Sequence, residues 1–292
     1  MTTDLVYLNG TILEAGEARL SAFDAGVSHG AGLFETIRAY GGVAFRLGDH
    51  LQRLRRSGET LGVPIPWSDD VLSAAVARVL QANELTDARM RLTVTPGDLH
   101  AGGADEGEPH PATLLITAQK FEAYPAEFYQ RGMTVCVSSF RQSRFDPLAG
   151  HKTVSYFPRI LGLREAHRKQ CGEAIWFTNE SLLAEGCVSN VFVVRNEVLM
   201  TPPLDTPVLP GIARGVVLAC ASQQRIRVEE RPLSINDLLD SDEVFLSNTV
   251  MEVMPVCRVE RHAVADEKIG EVTRQLHEAY RRCVRTECRI DG

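Results

Sequence analysis

The sequence predicts an α+β fold, a mixed α/β chain in two domains, and three observations point there. Apolar runs of strand length meet at turn dipeptides such as Asn9-Gly10 and Gly41-Gly42, the short-range mark of β-hairpins. Stretches with helical spacing are interspersed among these strands irregularly, without the βαβ alternation of a doubly wound sheet. The 292 residues are 44% hydrophobic and 24% charged, which suits an ordinary globular protein long enough for two modest domains.

In chain order, Leu5–Leu8 and Thr11–Leu13 form a first hairpin across Asn9-Gly10, and Leu33–Tyr40 and Val43–Arg46 a second across Gly41-Gly42. Asp49 is expected to cap a helix carrying Leu51, Leu54 and Leu61 that Pro64 and Pro66 end. A helix begins at Ser68-Asp69-Asp70, with Val71, Leu72, Ala75, Val76, Val79 and Leu80 forming its apolar stripe. Strands follow at Arg89–Thr95 and Thr113–Thr117. Between them Gly97–Pro111 is too polar to bury and is expected to be a mobile surface loop able to act as a lid.

Composition places a small N-terminal domain at 1–120, a linker at 121–132 and a larger domain at 133–292. The larger domain reads as a strand at Met133–Ser138, a helix at Phe157–Gln170, a strand at Glu173–Thr178 and a hairpin over Val191–Thr201. Pro210-Gly211 then leads into an apolar helix. A short helix at Ile235–Leu239, strands at Glu243–Leu246 and Val253–Val259, and a terminal helix with Val272, Leu276, Tyr280 and Val284 on one face complete it.

With 31 basic and 38 acidic residues the net charge is −7, so no broad basic field exists for nucleic acid or an anionic membrane. Small molecules are the expected partners. The opening MTTDLVYLNG lacks a basic segment before an apolar core, and no run reaches the roughly 18 apolar residues of a membrane span; the expected location is cytoplasmic. The cysteines at 136, 171, 187, 220, 257, 283 and 288 are odd in number and form no CxxC pair. They read as reduced, mostly buried thiols, and no metal is expected. P-loop and HExxH patterns are absent, and Gly30-Ala31-Gly32 lacks the third glycine of a dinucleotide fingerprint and runs into a strand.

Three features carry chemistry. Lys152 sits among small and apolar residues in Pro147-Leu148-Ala149-Gly150-His151-Lys152-Thr153; it is either a solvated lysine or a partly desolvated amine suited to Schiff-base chemistry. Glu185, in Leu183-Ala184-Glu185-Gly186-Cys187, enters a small-residue turn before a hairpin, where it either faces water or holds a protonated ring nitrogen. Leu209-Pro210-Gly211-Ile212-Ala213-Arg214 opens a helix whose first N–H groups can receive phosphate, although many helices begin this way without a ligand.

Taken with Gly30-Ala31-Gly32-Leu33-Phe34-Glu35-Thr36-Ile37-Arg38, His50-Leu51-Gln52-Arg53-Leu54, Leu246-Ser247-Asn248-Thr249 and Met254-Pro255-Val256, these motifs make nearly the whole chain resemble the fold-type IV pyridoxal-phosphate enzymes. This is the class IV aminotransferase family, which includes branched-chain and D-amino-acid aminotransferases and aminodeoxychorismate lyases. The resemblance implies a small N-terminal α/β domain, a larger C-terminal mixed β-barrel-like domain, and a homodimer with its active site in the cleft between domains. Pyridoxal 5'-phosphate is the implied cofactor. Lys152 is similar to the family's Schiff-base lysine, Glu185 to the partner of the pyridine nitrogen, Arg53 to the phosphate-binding arginine and Tyr156 to the tyrosine that bonds the ring oxygen. Ile212 and Ala213 correspond to the backbone phosphate cradle, and Thr249 to a phosphate ligand near the substrate carboxylate. Phe34, Arg38, Arg91, Thr249 and Val250 fall where relatives surround the substrate.

The implied activity moves an amino group between an amino acid and a 2-oxo acid by a ping-pong Schiff-base mechanism. The alternative is a 4-amino-4-deoxychorismate lyase eliminating pyruvate, to which Leu246–Met251 and Thr201–Thr206 are also similar. A non-enzymatic binding protein on this scaffold is disfavoured because Lys152 and Glu185 are both present. The chain departs from many relatives at Ala213, where a threonine hydroxyl would also reach the phosphate; losing such a bond to a charged group costs about 1.5–3 kcal/mol, so weaker cofactor retention is expected. The Arg-x-His carboxylate trap of the best-known D-amino-acid enzymes has no arginine to form it in the 97–111 loop, and His100 reads as a loop residue.

Overall fold

The computed structural model of the chain describes residues 4–100 and 112–290, so most of the loop expected to be mobile lies outside the described residues. The chain divides into two compact units. One comprises the described residues up to Glu122, the short segment His151–Ser155 and the C-terminal residues from Val284. The other comprises Ala123–Gly150 and Tyr156–Cys283.

The first unit runs β1 (Leu5–Leu8), β2 (Thr11–Glu14), α1 (Ala25–Ser28), β3 (Leu33–Tyr40), β4 (Val43–Ala44), α2 (Leu47–Leu61), α3 (Asp69–Ala82), β5 (Ala88–Thr95) and β6 (Thr113–Lys120). Its antiparallel sheet has the order β2-β1-β6-β5-β3-β4. The two tight turns form because Asn9, Gly10, Gly41 and Gly42 all take positive φ, the twist that matches paired strands. Leu33, Ile37 and Ala39 of β3 pack with Met90, Leu92 and Val94 of β5 against Leu51 and Leu54 of α2 and Leu72, Val76 and Val79 of α3. Strand alternation turns Phe34, Thr36 and Arg38 to the opposite face, in register with Thr93, Arg91 and Arg89. The cap expected at Asp49 is not there. Helix α2 starts at Leu47 behind Arg46 in the left-handed conformation (φ 54°), and Asp49 accepts from Arg46 Nη1 at 3.3 Å within the first turn. Ser68 does cap α3 through Val71 N–H.

The second unit contains α4 (Ala126–Arg131), β7 (Met133–Gln142), α5 (Phe157–Arg168), β8 (Glu173–Thr178), β9 (Leu183–Gly186), β10 (Asn190–Arg195), β11 (Val198–Thr201), α6 (Ile212–Gln223), β12 (Val228–Glu230), α7 (Ile235–Leu239), β13 (Glu243–Asn248), β14 (Glu252–Val259) and β15 (His262–Ala263). The last helix, α8 (Glu271–Cys288), begins where the Glu243 carboxylate accepts from the N–H groups of Val272 and Thr273. Strands β10-β13-β14-β7-β8-β9 form a closed ring, because β9 returns to β10 through the pair Asn190–Glu185. The ring is mixed: β14–β7 and β7–β8 are parallel and the rest antiparallel. One correction matters for the site. The small-residue segment expected as a turn is strand β9, and all four of its residues are buried.

No described helix is long and apolar enough to cross a membrane. Among the described residues no group of three or more His, Cys, Asp or Glu could hold a metal ion. All seven cysteines are unbridged, four of them buried.

Candidate active site

In the first unit the lysine is held by its backbone. Phe34 N–H donates to Lys152 C=O at 2.9 Å and Val154 N–H to Gly32 C=O at 3.0 Å, so residues 152–154 run as a short strand along the start of β3. Gly32 is required by the close approach of β5: a Cβ there would lie 2.8 Å from Val94 O. Phe34 is buried, with the Lys152 ammonium 4.6 Å and the Arg91 guanidinium 3.5 Å from its ring centre. Lys152, Phe34 and Arg91 are thus brought together.

Arg53 projects from α2 to the other face of β3. Its Nε donates to Glu35 Oε1 at 2.8 Å and its Nη2 to Oε2, which also accepts from His50 Nδ1 at 2.7 Å. All three side chains are buried. Burial would raise Glu35, yet the Arg53 charge and the His50 and Arg53 hydrogen bonds hold it down at about 2. Burial likewise keeps the His50 imidazole below its usual value; its Nε2 is buried with no hydrogen-bond partner among the described residues. Glu35 and His50 lay within quoted motifs without an assigned role, and their signal was i, i+3 spacing from His50 to Arg53 on one helix face.

Arg38 is placed elsewhere. Its guanidinium pairs with Asp87 at 3.1 Å and lies 3.0 Å from the Phe121 ring centre and 4.4 Å from that of Tyr40. These contacts belong to the far end of β3 from Phe34, so the structure does not bring Arg38 to Lys152 as the sequence expectation had it.

In the second unit the constellation is built around β9 and the turn after it. Glu185 Oε1 accepts from Arg159 Nη2 at 2.6 Å and Gln142 Nε2 at 3.1 Å, and Oε2 from Leu209 N–H at 2.9 Å. The next three carbonyls are each taken by a different element: Gly186 O by Arg159 Nη1 at 3.0 Å, Cys187 O by the Tyr156 hydroxyl at 3.2 Å, and Val188 O by Asn248 Nδ2 at 3.1 Å. Burial pushes the Tyr156 phenol well up, so it acts as a neutral donor. Asn248 Oδ1 accepts from Val250 N–H at 2.8 Å and Met251 N–H at 2.7 Å, which fixes the turn carrying Thr249 and Val250. Asn190 Nδ2 holds Leu209 O at 2.9 Å. The predicted Tyr156, Glu185, Leu209–Ala213 and Thr249–Val250 motifs therefore converge on one neighbourhood of backbone.

The residues fit a phosphorylated, ring-nitrogen-bearing cofactor. Gly211 is the N-cap of α6 and no side chain caps the helix, so the Ile212 and Ala213 N–H groups lie in a first turn without intrahelical acceptors. A Cβ on Gly211 would fall 2.0 Å from Asn190 Oδ1; only glycine leaves this start open. Residues that sequence reading missed are Arg159, Gln142 and Glu173. Glu173 had a signal, a lone carboxylate opening the otherwise apolar Glu173–Phe177 run, whereas Arg159 and Gln142 had none. One further sequence pattern, Gly26-Val27-Ser28-His29-Gly30, has the spacing of a hydrolase elbow. Its serine lies in the one-turn helix α1 and donates to Asp24 O at 3.0 Å, not in a strand-to-helix turn.

A fold with a closed mixed barrel, a backbone-pinned lysine and a glutamate set beside a helix-start anion cradle defines the fold-type IV class of pyridoxal-phosphate enzymes. The family described as amino-transferase class IV matches residues 32–259, and the chain belongs to it. A putative branched-chain-amino-acid aminotransferase of Methanocaldococcus jannaschii is 34% identical over 278 residues, 94% of this chain and 95% of that protein. The crystal structure of the Escherichia coli branched-chain amino acid aminotransferase superposes with a TM-score of 0.89 at 31% identity, covering 96% of this chain and 94% of that one. A thermophile's branched-chain amino acid aminotransferase, from T.th., solved with pyridoxamine 5'-phosphate, gives 0.88 at 27% identity, covering 96% and 93%. The chain is an enzyme, a pyridoxal-phosphate-dependent aminotransferase.

Proposed function

We propose that this aminotransferase takes branched-chain amino acids as donors and passes the amino group to a 2-oxo acid in two half-reactions. The support for the substrate class is the branched-chain enzymes it is similar to over nearly their whole length. The observation that carries the site assignment is the convergence of Tyr156, Leu209 and Asn248 on the backbone and carboxylate of residues 185–188.

When bound, pyridoxal phosphate supplies an aldehyde and an electron-accepting ring. Lys152 is the residue for the Schiff base, and its amine, beside Phe34 and the Arg91 cation, is the group that takes the proton from the substrate α-carbon and returns it. A neighbouring cation disfavours the charged form of a lysine and so favours a working base. Glu185 accepts from the ring nitrogen, Tyr156 donates to the ring oxygen, and Arg53 with the N–H groups of Ile212 and Ala213 and with Thr249 holds the phosphate. Phe34, Arg91 and Val250 border the substrate. Glu35 keeps the Arg53 guanidinium in a single rotamer by a two-point bond, which is how positioning contributes to rate.

The working form is a homodimer in the cytoplasm. Exposed Phe23 and Val27 in the first unit and Phe145 and Phe157 in the second are apolar surface of the kind that association covers, and unbridged cysteines suit a reducing compartment.

The test is the absorption spectrum of the protein with pyridoxal phosphate, recorded before and after mixing with single L- and D-amino acids and no oxo acid. Conversion to the aminated cofactor by leucine, isoleucine and valine is the expected result, and conversion by none of them overturns the substrate assignment. Lys152→Ala should lower turnover by more than about a hundredfold with an unchanged circular dichroism spectrum; full activity in that variant removes Lys152 from the mechanism.

A further inference from the structure

Arg159 belongs to none of the motifs that the resemblance rests on, yet it makes the shortest contact to Glu185. It projects from the first turn of α5, its Nη2 2.6 Å from Glu185 Oε1 and its Nη1 3.0 Å from Gly186 O. The guanidinium lies 4.7 Å from the Trp176 ring centre, so a two-point hydrogen bond and an aromatic face define its position. Its side chain is 19% exposed and that of Glu185 6%, which leaves little water to screen the pair.

The other ionisable groups facing this pair are few. Glu173, on β8, is fully enclosed and accepts from Val188 N–H at 2.7 Å and Ser189 Oγ at 3.0 Å. Burial pushes it up to about 7, against the pull of those two bonds and of Arg159. Burial also raises the Cys187 thiol to about 12 and the Tyr156 phenol higher, so both are neutral in the working range. Arg159 is thus the sole cation among the groups that contact the Glu185 carboxylate in the described residues, since Gln142 and Leu209 N–H are neutral donors.

We propose that Arg159 is a positioning residue that competes with the cofactor's ring nitrogen for the Glu185 carboxylate and so sets how tightly the ring nitrogen holds its proton. The inference rests on the reading of Glu185 as the ring partner. A cation within 4–6 Å disfavours a second positive charge, so the guanidinium lowers the proton affinity of the ring nitrogen below what a carboxylate with only neutral donors would produce. The chemistry is a proton equilibrium and consumes no other reactant: the ring nitrogen either carries the proton shared with Glu185 or releases it to solvent. Gln142 and Leu209 N–H keep the carboxylate in place when Arg159 is removed, which separates its charge from its tether.

The experiment follows the protonation of the bound cofactor by ¹⁵N NMR, with pyridoxal phosphate labelled at the ring nitrogen, across a pH titration of the holoenzyme. Arg159→Gln keeps a donor for Gly186 O and drops the charge; Arg159→Met removes both; Arg159→Lys restores the charge. The midpoint for loss of the ring proton should rise by about one pH unit, a tenfold gain in proton affinity, in the Gln and Met variants and return toward wild type in the Lys variant. An unmoved midpoint in the Gln variant, or equal shifts in Gln and Lys, overturns the proposal and leaves Arg159 a structural counter-ion. Glu185→Gln separates this from the underlying reading, since its midpoint must fall if Glu185 is the ring partner. A fall there with no effect at Arg159 rejects only the role of Arg159; no change in Glu185→Gln rejects both.

Discussion

Two buried glutamates respond to their surroundings in opposite directions, and each leaves a mark on stability. Glu35 is held at about 2 against a usual 4.5, so the native state binds fewer protons than the unfolded one between those values. Its contribution is therefore present above pH 4.5 and is lost as pH falls toward 2. Glu173 is raised from 4.5 to about 7; here the native state binds the extra proton, and stability declines as pH rises from 4.5 through 7. Glu173→Gln should flatten the melting temperature over pH 5–7 in calorimetric scans, and an unchanged slope would place the effect on another group. Glu35→Gln should lower the melting temperature at neutral pH, because it leaves the buried Arg53 charge without its counter-ion, a loss of about 3–5 kcal/mol, while weakening the acid-side slope. That Glu35 serves Arg53 was not legible in the chain: a glutamate inside an apolar strand announces burial, but its partner lies on a helix beyond a turn.

At the level of elements, short-range rules go far. Asn9-Gly10, Gly41-Gly42 and Ser68 mark turns and a cap because the φ values and the oxygen acceptor they supply are local requirements. They fail at β9. Leu183–Gly186 reads as a turn because Ala184 and Gly186 are poor strand formers, but pairing to β8 and β10 on both sides outweighs that preference. The strand closes the barrel, which is why Glu185 is buried rather than solvated. Element packing also explains the cradle at α6. Gly211→Ala would drive a methyl into Asn190 Oδ1, shifting the helix start; pyridoxal phosphate should bind roughly ten- to a hundredfold more weakly, the equivalent of one hydrogen bond to a charged group. Pyridoxal without phosphate should be affected far less in the same equilibrium dialysis. Ala213→Thr, restoring a hydroxyl at the helix start, should tighten binding of the phosphorylated cofactor.

For the whole molecule, ligand linkage supplies the check on the cofactor assignment. Free pyridoxal phosphate at a hundred times its dissociation constant should stabilise the fold by about 2.7 kcal/mol, seen as a concentration-dependent rise in melting temperature, and Lys152→Ala should reduce that rise. Association into a dimer is tested by sedimentation equilibrium, where a monomer mass at micromolar concentration would contradict the proposed assembly. The chain alone was enough to establish its α+β class, most strands and helices, and the identities of Lys152, Glu185 and Arg53, because periodicity, turn chemistry and motif order are carried by neighbours in sequence. Arg38 shows the limit. Its position within a quoted motif suggested substrate, and its guanidinium is instead held by Asp87, Tyr40 and Phe121, residues whose approach depends on strand register. The same holds for Arg159 on Glu185 and for the three carbonyls after it. Which side chain meets which across the barrel was settled by long-range pairing and burial, whose energies come from contacts between segments distant in the chain.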